Sequence, residues 1–170
     1  VGEDECALIA IALNVCNLAA TIVAVALMDQ VGRRRLLLAS LLLMAAAATL
    51  LTLVLSLASD DWLPLGCGVS MVLYVGAYAI GLGPVSGLLP AELFPAAYRA
   101  AGTSVAMCVQ WLSSFAVAQL FLAQAAELTA NLFVPHVVIL VVGFLCCVCS
   151  VPETRGKSLD QIEKELMTGT

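Results

Sequence analysis

The chain has 170 residues, 62% of them hydrophobic and 11% charged, with a mean hydropathy of +1.07 and a formal net charge of -5 at pH 7. Soluble domains carry about 25% charged residues, and a soluble helical core would need polar stripes that these apolar runs lack, so a water-soluble fold is excluded. Seven Lys and Arg, scattered along the chain, leave no basic patch for nucleic acid.

Five long uncharged runs follow one another, and a helix of about 20 apolar residues crosses the hydrocarbon core. They predict an all-α membrane protein of about five transmembrane helices, with spans near 6–28, 36–58, 67–90, 101–124 and 133–151. The first follows an acidic lead, Glu3, Asp4 and Glu5, with no basic region, so it is not a removable signal peptide. The chain opens at Val1, which leads us to expect a piece of a longer protein. Asn14, Asn17 and Thr21 share one face of this span, and Asn17 falls near its centre. The connector Asp29–Arg35 then places Gly32 at a sharp turn before Arg33, Arg34 and Arg35.

After the second span comes an acidic loop with Asp60 and Asp61. The later half of the third span, from Gly76, carries Gly81, Gly83, Pro84, Gly87 and Pro90. Proline removes a helical donor and crowds the preceding turn. A broken helix at membrane depth must face protein or a water-filled cavity. Such interrupted spans point to transporter binding sites, with a kinked packing helix as the other reading. The next connector sets Glu92 seven residues before Arg99. In the fourth span Thr103, Gln110 and Ser114 share a face, with Gln110 near mid-depth. Amides both donate and accept, which suits a neutral polyhydroxylated ligand. Hydrogen bonds between helices are the other use of such groups.

The fifth span opens near Pro135 and His136 and ends among Cys146, Cys147 and Cys149. One imidazole makes no metal site, and the seven cysteines fit no zinc or redox spacing. The cysteines are read as small apolar packing residues, with palmitoylation of the terminal three as the alternative. The tail, 153–170, pairs Ser158 with Gln161 as a capping box for a short helix. No nucleophile–base pair stands out, so neither an enzyme nor a cofactor is expected. Threading the spans back and forth puts Arg33, Arg34, Arg35, Arg99, Arg155, Lys157 and Lys164 on one side. The opposite connectors hold no Lys or Arg, so the basic loops and the C-terminus are expected in the cytoplasm.

Three segments together resemble the facilitative hexose transporters, the sugar branch of the major facilitator superfamily. DQVGRR matches the family's D/E-x-x-G-R-R/K. GLGPVSGLLPAELFPAAYR matches its G-x-G-P run followed by E-x6-R, and VPETRGKSLDQIE matches its P-E-T-K-G. They occur in family order over essentially the whole chain. The resemblance implies a partial C-terminal six-helix bundle, the eighth to twelfth helices of a twelve-helix fold. It also implies a multi-pass protein of the plasma membrane, with a hexose, the lipid bilayer, and an N-terminal half plus seventh helix as partners.

The resemblance places Asn17 at the family's sugar-binding Asn. Ala79 and Gly87 fall where glucose carriers hold an acid and a tryptophan, as in fructose-type members, around the Gly83–Pro84 pair. Gln110, Trp111 and Ser114 fill the corresponding QWLSSF segment. The implied mechanism is alternating access by uniport, with Asp29, Arg33, Arg34, Glu92, Arg99 and Glu153 forming gate ion pairs. Proton-linked sugar symport, or a truncated piece acting only through interactions, are the alternatives.

Overall fold

The computed structural model describes residues 3–57, 59, 62–127, 132–152, 155–156 and 161, without the side chains of 3–10, 12, 29 and 125–127. Six α-helices follow in order: α1 (Glu3–Val31), α2 (Arg33–Leu57), α3 (Leu63–Ala77), α4 (Gly83–Leu93), α5 (Arg99–Glu127) and α6 (Val134–Ser150). A π-helical turn, Tyr78–Leu82, joins α3 to α4 into one continuous element. No strand occurs among the described residues. Apart from Gln161, which is helical, the expected tail helix lies outside the described residues, as does Ser158 of its capping box.

Length and composition make Arg33–Leu57, Leu63–Leu93 and Arg99–Gln124 able to cross a membrane, and Leu13–Met28 and Val134–Ser150 are shorter apolar helices. The molecule is an integral membrane protein, and its outer faces show why. Ile22, Leu43, Leu53, Leu73, Leu112 and Leu145 are all exposed large hydrophobics, faces that call for lipid or for further helices packed on them.

Helix starts follow proline chemistry. Pro64 and Pro135 sit in the first turn of α3 and α6, where a missing N–H removes no helical bond, whereas Pro84 follows the π turn inside a continuous element. Between α1 and α2 only Gly32 breaks the helix, at φ +100, a backbone conformation that costs glycine little. Its N–H donates to the Met28 carbonyl (3.3 Å), and its own carbonyl accepts from Leu36 N–H (3.1 Å).

The packing centre is α2, which lies against α3, α6, the π turn and α1. Leu36, Leu37, Ser40, Leu41, Met44, Ala47, Ala48 and Leu51 form its buried stripe at helical spacing. Met28, Ala77, Val85 and Leu140 close the core from the other helices. Lipid tails are as apolar as leucine, so helices associate here through close contact between small residues. Ala24, Ser40, Ala48, Ser70 and Ala79 are accordingly among the most buried.

Gly81 marks the closest approach. A Cβ there would come within 2.5 Å of the Leu36 carbonyl oxygen and 2.6 Å of Ser40 Cβ. In the π turn Gly83 N–H donates to the Tyr78 carbonyl. Leu82 N–H donates to Ser40 Oγ (2.9 Å), whose hydroxyl in turn donates to the Leu37 carbonyl (3.1 Å). A side chain of α2 thus supplies an acceptor where the helix changes pitch. By contrast, α5 packs chiefly on α4, and its side chains from 107 to 120 are all exposed.

Candidate functional site

The space between α5 and the rest of the bundle is a cleft of about 570 Å³. Asn17 of α1 and Gln110 of α5 both line it, with Ser113 and Ser114 beside Gln110 and Tyr74 and Tyr78 on the wall between them. Met44, Val75, Leu82, Val117 and Leu140 make the apolar remainder. Asn17 is half-buried. The Thr21 hydroxyl, one turn on, donates to the Asn17 carbonyl (2.8 Å) and also reaches its Oδ1 (3.3 Å). The stripe seen in the sequence therefore holds the carboxamide in place. Two amides and four hydroxyls without a formal charge can both donate to and accept from a neutral polyol, and an apolar pocket with a few convergent polar groups is the usual form of a small-molecule site.

Of the residues singled out in the sequence, Asn17, Gln110 and Ser114 come together in this cleft. Trp111 lies on the outer face of α5, 70% exposed. Ala79 is buried within the bundle at 2% exposure, and Gly83 lies against the Tyr78 ring. Pro84 is half-buried, while Gly87 is exposed with open space where a side chain would be. The cleft wall of the interrupted span is thus Tyr74, Val75, Tyr78 and Leu82, from α3 and the π turn. The four-residue spacing of Tyr74, Tyr78 and Leu82 was visible in the sequence, but the extra residue of the π turn was not. Thr103, aligned with Gln110 by spacing, is off the cleft, and its Oγ1 is buried without a partner among the described residues.

The arginine-bearing starts of α2 and α5 gather with the C-terminal ends of α4 and α6 at one end of the bundle. Arg33 Nε lies 3.3 Å from Glu92 Oε1, an ion pair between α2 and α4. Arg34 Nη2 donates to the Val148 carbonyl in the last turn of α6 (2.7 Å). Arg99 Nε donates to the Phe94 carbonyl just beyond α4 (3.4 Å). Neither α4 nor α6 has a basic residue in its own last turn. A cation borrowed from another helix satisfies those carbonyls and complements the negative end of the dipole. The Asp29 side chain and Glu153 lie outside the described residues.

At the other end, Phe121, Phe133 and His136 form a triangle of rings, each pair of centroids 5.9 Å apart. The cysteines described are free thiols: Cys16, Cys108, Cys146 and Cys149 exposed, Cys67 and Cys147 half-buried. Among the described residues no group of His, Cys, Asp and Glu could hold a metal ion.

Comparison with known proteins gives the family and the fold. The family model described as "Sugar (and other) transporter" matches residues 1–166. The rabbit (Oryctolagus cuniculus) solute carrier family 2, facilitated glucose transporter member 3, is 38% identical over 96% of this chain and 33% of its own length. The facilitated trehalose transporter Tret1 of Anopheles gambiae is 34% identical over 98% of this chain and 21% of its own. Among solved structures, the proton:xylose symporter XylE bound to 6-bromo-6-deoxy-D-glucose superposes with a TM-score of 0.83 at 28% identity. That superposition covers 96% of this chain and 35% of the symporter. The chain spans about a third of the length of the curated glucose transporters it matches.

Proposed function

Because the chain belongs to the sugar (and other) transporter family of the major facilitator superfamily, we propose that it is the C-terminal portion of a facilitative hexose transporter. It would contribute the eighth to twelfth helices and move glucose- or fructose-type sugar by uniport. The observation that carries this is the cleft in which Asn17 and Gln110 meet from different helices, with Ser114 and two tyrosines between apolar walls. Sugar hydroxyls bridge the two amides, and apolar side chains meet the carbon face of the ring.

An N-terminal half and a seventh helix close the cleft from the open side, where α5 now stands exposed. Trp111 and Gly87, both exposed, meet sugar or that half across the same opening, with Gly83 and Pro84 shaping the backbone behind them. Ala79 acts by its small size, letting the π turn pack into the bundle. Asp29, Arg33, Arg34, Glu92, Arg99 and Glu153 form a latch at the cytoplasmic face of the plasma membrane. It favours the state closed on the inside, and sugar transport proceeds by rocking one half against the other. Likeness to a proton:xylose symporter supports a second possibility, proton-linked uptake, with the coupling acid outside this chain.

The test is sugar binding by the assembled transporter carrying Asn17→Ala. We expect affinity to fall by about 1–3 kcal/mol, since a buried polar partner is left unpaired. Unchanged affinity at normal expression would reduce Asn17 to a packing residue. Proton movement accompanying sugar uptake would replace uniport by symport.

A further inference from the structure

The end of α6 carries three free thiols, Cys146, Cys147 and Cys149, and none of them lines the cleft. We propose that Cys146 and Cys149 are S-acylation sites, which take a long-chain fatty acyl group as a thioester at the cytoplasmic rim of the membrane. This goes beyond sugar transport, and it rests on the cytoplasmic placement of the arginine end.

The face of the helix selects these two. Leu140, Phe144, Cys147 and Val151 recur every three or four residues and pack into the core, as one side of a helix does. Val138, Val142, Leu145, Cys146 and Cys149 make the opposite side, and all are exposed. The helix meets the cleft through Leu140, on its core face. The two outer thiols therefore look away from the cleft, among side chains suited to acyl chains.

Depth selects them as well. Arg34 Nη2 donates to the Val148 carbonyl at 2.7 Å, which sets a guanidinium beside the turn that bears both thiols. Charge is costly deep in a bilayer, so this turn lies at the interface. At 1.5 Å per residue, Cys149 and Cys146 are about 1.5 and 6 Å from the last residue of α6. Cys108, also exposed, is about 14 Å along α5 from Arg99, and Cys16 is about 22 Å from the end of α1. Cys67 is near the start of α3, at the other end of the bundle. Among the described thiols only Cys146 and Cys149 combine an outward face with interfacial depth, where cysteines undergo reversible S-palmitoylation. The acyl donor is a long-chain acyl-coenzyme A, used by a membrane acyltransferase. The cysteine thiolate attacks the thioester carbonyl carbon. A new S–C bond forms, the bond to the coenzyme A sulfur breaks, and coenzyme A leaves as a thiol carrying the proton that the cysteine gave up. The added chain lies in the bilayer beside Val142 and Leu145 and ties the end of α6 to the membrane.

The chain is expressed in eukaryotic cells fed an alkynyl palmitate, and hydroxylamine-sensitive label per chain is measured. We expect the double variant Cys146→Ser, Cys149→Ser to lose label about tenfold or more, and Cys147→Ser to keep it within about twofold. A variant that retains only Cys146 and Cys149, every other cysteine being replaced by serine, should also keep it. Label persisting in the double variant, or lost from the variant that retains only these two, would overturn the assignment. In the same cells an impermeant thiol reagent is applied to Arg35→Cys in a cysteine-free variant. No acyl label on the chain, with position 35 shielded from outside, would overturn acylation and spare the topology. No acyl label with position 35 reached from outside would overturn both.

Discussion

Replacing Ser40 by alanine removes one oxygen from the tightest seam of the bundle. Ser40 is 2% exposed, and its Oγ accepts from Leu82 N–H at 2.9 Å across the contact between α2 and the π turn. An orphaned buried N–H costs about 1–3 kcal/mol, while hydrogen bonds between membrane helices measured by mutant cycles average about 0.6 and reach about 1.7 kcal/mol. A backbone donor held at a pitch change belongs in the upper part of that range, so Ser40→Ala should cost about 1–2 kcal/mol.

Thr49→Ala is the control. Its hydroxyl donates to the Ala45 carbonyl of its own helix (2.7 Å) at an exposed site, so its loss should cost close to nothing. Reversible unfolding in mixed micelles, followed by helical circular dichroism, gives both numbers. If the two variants agree within about 0.3 kcal/mol, the error of additive comparisons, the Ser40–Leu82 bond does not hold the seam.

The Arg33–Glu92 pair, with side chains 21% and 23% exposed at 3.3 Å, should show a coupling of about 0.5–1 kcal/mol in a double-mutant cycle. In the assembled transporter Arg33→Ala should raise the inward-open population more than it lowers sugar affinity. No coupling would leave the latch without this pair. If the basic end is cytoplasmic, an impermeant thiol reagent added outside should fail to label Arg35→Cys in a cysteine-free variant. It should label a cysteine at Asp60, and the reverse pattern would invert the topology. The chain reconstituted alone in liposomes should not carry labelled hexose, because its cleft is open along α5. Saturable, stereospecific flux would show that the site needs no second half.

Apolar runs and the placement of arginines suffice to read helix number, order and the gathering of basic ends from the chain itself, because in a bilayer every backbone group must be satisfied within its own helix. Local chemistry also explains the turn at Gly32 and the proline-led starts of α3 and α6. The motif segments told the family, and Asn17, Gln110 and Ser114 were legible as mid-span polar groups on helical faces.

Which faces meet was decided only in three dimensions. Tyr74 and Tyr78 line the cleft while Ala79 goes inward, and the extra residue of the π turn between Tyr78 and Gly83 offsets α4 from the face that α3 presents. Spacing at 3.6 residues per turn cannot foresee it, because the shift is stabilised from outside the segment, by Ser40 on α2. Arg34 and Arg99 read as partners for carboxylates. Packing brings Arg34 to the Val148 carbonyl of α6 and Arg99 to the Phe94 carbonyl, since a helix end without its own cation takes whichever one the fold delivers. His136 looked like a boundary residue. Its place in a triangle of rings with Phe121 and Phe133 was decided by packing alone.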